Sequence, residues 1–128
     1  MPWAKTAFIF LAVAMGLLVV VQFFLAGYGV LGGEPMGAHK AIGHILEPLS
    51  LVLVIFAALG RLGGKLIGMA GALLVLVILQ SVWIDADAAV LRAFHVLGAL
   101  AIAMILREIV ANARPTAAPA APSVSRGT

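Results

Sequence analysis

The chain contains no cysteine. That absence excludes disulfides, thiolate-ligated metals, iron–sulfur clusters and thioether-attached haem, and leaves histidine and carboxylate as the metal-binding side chains. Charge is scarce too: Asp, Glu, Lys and Arg make up 10% of the 128 residues, and aromatics 7%. A soluble domain carries about a quarter of its residues as charges, so a surface solvated on every side is excluded. The net charge of +3 and pI near 10 do not indicate nucleic acid, because the cations sit at segment ends and form no basic patch interleaved with aromatics.

What the chain has is apolar length. Hydrophobic residues make up 64% of it and the mean hydropathy is +1.20. Four apolar runs, over about residues 5–31, 37–60, 64–84 and 88–110, are each long enough to cross about 30 Å of hydrocarbon at about 1.5 Å per residue. The expected fold is all-α, an integral membrane four-helix bundle over residues 1–112, with short connections imposing up-down-up-down order. Residues 113–128, rich in Pro and Ala, are expected to form a disordered cytoplasmic tail. Lys5 before an apolar run, with Ala12-Val13-Ala14 after it, resembles a secretory signal, but the run continues well past Ala14 and reads as a retained helix.

Cations set the expected orientation. Lys5, Arg61, Lys65, Arg107, Arg114 and Arg126 flank one side of the four runs, against Lys40 and Arg92 with Glu34, Asp85 and Asp87 on the other. The positive-inside rule then places both termini and the 61–65 loop in the cytoplasm. Pro35 suits the first turn of the second helix, and Asp85 or Asp87 the cap of the fourth. Gly60, Gly64, Gly68 and Ala72 form a ladder of small residues at a spacing of four, which predicts tight packing within the bundle or, alternatively, a homo-oligomer contact.

Polar residues inside these runs are costly and mark function. Gln22 precedes His39, and Gln80 precedes His95, so a Gln-then-His order occurs twice. A duplicated helical hairpin would set both histidines at one outer depth, facing each other. Two neutral imidazoles on opposing helices are the axial ligand set of a b-type haem. The two basic residues of the outer side, Lys40 beside His39 and Arg92 one turn before His95, are placed to receive its propionates. Gln22 and Gln80 read either as hydrogen-bonding glue between helices or as support for the imidazoles. His44 is the rival ligand to His39. Together with Glu47, which precedes Pro48, it also forms a candidate proton relay, the alternative being a neutral Glu47 bonded within a bundle whose second helix Pro48 kinks. Phe23, Phe24, Tyr28, Trp83 and Phe94 read as a cofactor pocket or an aromatic belt, and Trp3 as a belt residue at the inner end.

These stretches, Gln22-Phe-Phe-Leu-Ala-Gly27 with His39-Lys40 and Gln80-Ser-Val-Trp with His95-Val96, resemble one four-helix half of the heme A synthase family. The chain resembles still more a group of small four-helix bacterial membrane proteins of unassigned function that share the Gln, His-Arg/Lys-x-x-Gly and late His pattern, over about residues 15–107. The resemblance implies a bundle able to hold one haem b between His39 and His95. It does not carry over the synthase reaction, which uses two such bundles, and the Leu-Gly expected after Gln80 is replaced by Val82-Trp83. The leading expectation is a small membrane cytochrome b, an electron carrier or accessory redox subunit more than an enzyme, with a quinol or a membrane redox protein as partner. The alternatives are a cofactor-free accessory subunit and a small proton-coupled transporter centred on Glu47 and His44.

Overall fold

The computed structural model describes residues 1–33 and 36–114 and consists of four long helices: α1 (Pro2–Val30), α2 (Gly37–Leu59), α3 (Gly64–Ile84) and α4 (Ala89–Ala113). All four are long and apolar enough to cross a membrane. α1 begins at Pro2, where the missing proline N–H would have no helical acceptor in any case. The expectations for Glu34, Pro35 and residues 115–128 lie outside the described residues. α4 runs on to Ala113, beyond the expected residue 110.

Neither Asp85 nor Asp87 caps α4, contrary to the sequence-based expectation. Its N-cap is Ala88, which is extended and offers no side-chain acceptor, whereas Asp85 ends α3. The α2–α3 connection is a tight turn. Gly60 N–H and Leu62 N–H donate to the carbonyls of Phe56 and Ala57 at 2.9 and 3.1 Å. Arg61 then adopts a left-handed φ of 49° and Gly63 a φ of 86°, the latter costing glycine no Cβ clash.

Each helix packs on its neighbour in sequence, and α1 also packs on α4, closing a four-membered ring. Trp3 of α1 meets Phe56 of α2 edge to face at 6.0 Å, and Lys65 of α3 donates to Asn112 Oδ1 of α4 at 2.6 Å. Buried residues recur at spacings of three and four, the stripe a helix turns toward a bundle axis. They are Phe8, Ala12, Met15 and Val19 in α1, Leu53 and Ala57 in α2, Leu66, Ala70, Leu73 and Val77 in α3, and Ile102, Leu106, Ile109 and Ala113 in α4. Ser50 joins this core by donating to the Glu47 carbonyl at 2.7 Å.

The core fills one half of the bundle. Among the described residues, none is fully buried in α1 after Val19, in α2 before Leu46, in α3 after Val77 or in α4 before Gly98. Those four helix ends measure about 10 to 17 Å each. They are where the Gln and His residues lie.

The small-residue ladder does not close the bundle. A Cβ built on Gly64 or Gly68 meets nothing within 4 Å, and Gly64, Gly68 and Ala72 face outward; Gly60 alone is tight, against the Phe56 carbonyl and the Leu62 side chain. The buried residues of α3 occupy the opposite stripe, so the ladder's spacing of four describes the outer face.

Candidate functional site

Continuing each buried stripe into the less buried half leads to four polar positions. In α1, Val19 is followed on the stripe by Gln22; in α3, Val77 by Gln80. In α2, Leu46 is preceded by Gly43 and His39; in α4, Ile102 by Gly98 and His95. These spacings of three and four place both Gln–His pairs on the bundle axis.

The structure brings the two histidines together. Their ring centroids are 6.0 Å apart, with planes inclined by 65°, and both side chains are half-buried. His39 Nδ1 lies 3.2 Å from the backbone carbonyl of Gln22, and His95 Nδ1 lies 3.1 Å from that of Gln80. A carbonyl only accepts, so each Nδ1 carries the proton and donates. In the neutral ring that fixes the tautomer and leaves the lone pair on Nε2. This is the arrangement by which proteins orient imidazoles that bind metal, the second ring nitrogen being held by a carbonyl or carboxylate. Gln22 and Gln80 thus support the rings through their main chain.

The glutamine amides do something else. Gln22 Nε2 sits 3.3 Å from where a Cβ on Gly43 would be, and Gln80 Nε2 only 2.1 Å from that of Gly98, with the Trp83 ring at 2.6 Å. Glycine at the third or fourth residue after each histidine is what lets the opposite amide pack onto the helix. The sequence marked Gly43 only as the last position of the His-Lys-x-x-Gly pattern and gave no role to Gly98, although the places of both on the histidine stripe were a readable signal. Despite this burial, Gln22 Oε1 and both Gln80 side-chain polar atoms lack a hydrogen-bond partner among the described residues. Buried polar atoms without partners are rare and call for an explanation such as an absent ligand.

His44 does not compete for the axis. It is 72% exposed on the outside of α2, with Nδ1 4.0 Å from Glu47 Oε1, while Glu47 accepts a 2.5 Å hydrogen bond from Ser81 Oγ of α3. Ser81 had no assigned role in the sequence, though it directly follows Gln80. Lys40 and Arg92 are exposed on the first turns of α2 and α4. Trp83 packs against Phe94 at 5.9 Å, and Phe24 stacks on Tyr28 at 6.1 Å. The Tyr28 ring also lies where a Cβ on Gly33 would stand, at 2.5 Å.

The donor set is informative by number. Among the described residues no group of three or more His, Cys, Asp or Glu is placed to hold a metal ion, whereas a bare zinc takes three or four protein ligands. Two imidazoles are a full complement only for a metal whose remaining ligands come with it.

A family model described as a family of unknown function, DUF6220, matches residues 22–89, more than half of the chain. The chain belongs to DUF6220. The matched span begins at Gln22 and takes in His39, Gly43, Glu47, Gln80 and Ser81, while the DUF6220 match ends before His95. No curated protein and no solved structure matches the chain, and the resemblance to heme A synthase rests on the residues quoted above.

Proposed function

We propose that this protein is a small membrane cytochrome that holds one haem b between His39 and His95, and that it serves as an electron carrier or accessory redox subunit. The carrying observation is the pair of imidazoles 6.0 Å apart with each Nδ1 turned to a main-chain carbonyl. His39 and His95 would hold the iron of a haem, a group that carries its remaining ligands with it. The buried, unpartnered Gln22 Oε1 and Gln80 Oε1 and Nε2 on the same stripes as the histidines support a ligand at this level.

The chain's own residues divide the work. His39 and His95 would hold the metal, the Gln22 and Gln80 carbonyls keep both rings in the ligating tautomer, and Lys40 and Arg92 would receive the propionates at the mouth. Trp83 and Phe94 form an apolar wall that limits water. When bound, the group supplies reversible one-electron oxidation and reduction. The surrounding reading is an up-down-up-down bundle in a bacterial inner membrane, with both termini cytoplasmic and the histidines toward the outer face. Electrons would pass between a quinol or a membrane redox protein and an acceptor outside.

The test is a visible spectrum of the detergent-purified chain, with haemin added if it is isolated empty. A Soret band is expected that His39→Ala and His95→Ala abolish and His44→Ala leaves intact. No Soret band after reconstitution, or one indifferent to both axial substitutions, overturns the proposal.

A further inference from the structure

A second site lies outside the histidine level. α1 and α4 leave an open groove of about 440 Å³ between them. Its floor consists of small residues, Ala12 and Gly16 of α1 and Ala103 of α4, and Val20 and Phe23 line it further along α1. A Cβ on Gly16 would meet nothing within 4 Å, so the space is real and not filled by a neighbouring side chain. The α1 wall from Ala12 to Phe23 is about 16 Å long, a length along which an acyl chain can lie.

The groove is charged toward one end. Arg107 and Arg114, both on the groove-facing stripe of α4 with Ala103 and Val110, line it. They lie in the C-terminal part of α4, at the end of the bundle where Lys5, Arg61 and Ala113 also meet around a second opening. The carboxylate facing these cations is Glu108, whose Oε1 takes Arg107 Nη1 at 2.6 Å on the exposed side. One such exposed contact leaves the other guanidinium donors of Arg107, and those of Arg114, for a ligand.

We infer that this groove binds one anionic phospholipid, its acyl chain lying over Gly16 and its phosphate held by Arg107 and Arg114. Charge complementarity selects the head group, since an arginine fork matches phosphate oxygens in pairs, and basic pockets between spanning helices are where anionic lipids settle. The open apolar floor selects a chain over a free phosphate. The inference rests on the chain lying in a bilayer; recovery of the protein from cells without detergent would remove that premise separately.

The experiment is native mass spectrometry of the full chain in detergent, titrated with phosphatidylglycerol or phosphatidylcholine. One phosphatidylglycerol per chain is expected, retained about tenfold over phosphatidylcholine. R107Q/R114Q should erase that preference while keeping residual binding of both lipids, and G16L/A103L should exclude both. The helical signal and melting temperature of each variant identify any that fail to fold, and Arg107→Gln alone, wholly on the surface, serves as the milder replacement. Equal retention of the two lipids by the unaltered chain, a preference unchanged in the arginine variants, binding unaffected by the filled groove, or a second copy of the chain found in it would each overturn the inference.

Discussion

Gly98 shows how much rests on a single missing methyl group. A Cβ there would fall 2.1 Å from Gln80 Nε2 and 2.6 Å from the Trp83 ring, and the ring is not a flexible end that can swing aside. Gly98→Ala is expected to destabilise the bundle by about 1 to 3 kcal/mol, visible as a lower melting temperature in detergent. Gly43→Ala, whose new methyl would meet a movable amide at 3.3 Å, should cost far less. Equal melting temperatures for the two variants would refute this account. Residue identity was largely legible here: Gln22, His39, Gln80 and His95 stood out because polar groups are few in so apolar a chain. Their detailed roles were not, because whether a glutamine supports a ring with its amide or with its carbonyl depends on helix rotation. The choice between His39 and His44 turned on the same angle: His39 lies on the buried stripe through Leu46 and Ser50, and His44 lies exposed off it.

At the scale of the element, α2 and α3 are joined by a bond that crosses between them, Ser81 Oγ donating to Glu47 Oε1. Hydrogen bonds between helices in apolar surroundings are worth about 0.6 kcal/mol on average and at most about 2. Ser81→Ala is therefore expected to lower stability modestly, and Glu47→Gln, which can still accept from the hydroxyl, to lower it less. A double-mutant cycle on thermal unfolding measures the coupling; additive effects would show that the bond contributes nothing. If Glu47 instead served proton-coupled transport, Glu47→Gln would abolish flux in vesicles. Helix boundaries were readable to within a few residues from hydropathy alone. The N-terminus of α4 was not, because Asp85 and Asp87 advertise a capping function that the turn assigns to Ala88, and the ladder at Gly64 and Gly68 read as packing within the bundle or as a homo-oligomer contact because small residues signal close packing without saying which side is packed; the structure turns both glycines outward.

For the whole molecule, the orientation can be tested with unusual economy, since a chain without cysteine gives no labelling background. Single cysteines at Ala86 and at Leu62 should be modified by a membrane-impermeant maleimide from opposite sides, Ala86 from outside intact cells and Leu62 only after lysis. Labelling of both from the same side would contradict the bundle order and the orientation together. Overall architecture was the most legible level of all, four apolar runs mapping onto four helices. What hydropathy could not reveal is the unequal burial of the two halves, because burial depends on which face each helix turns to the axis, and a mean hydropathy carries no angle.

That inequality has a consequence for the order in which the molecule comes apart. With Phe8, Met15, Leu53, Leu73, Leu106 and Ile109 fully enclosed in one half, the amides of that half should exchange last, and the helix ends carrying Gln22, His39, Gln80 and His95 should open first as heat or denaturant is raised.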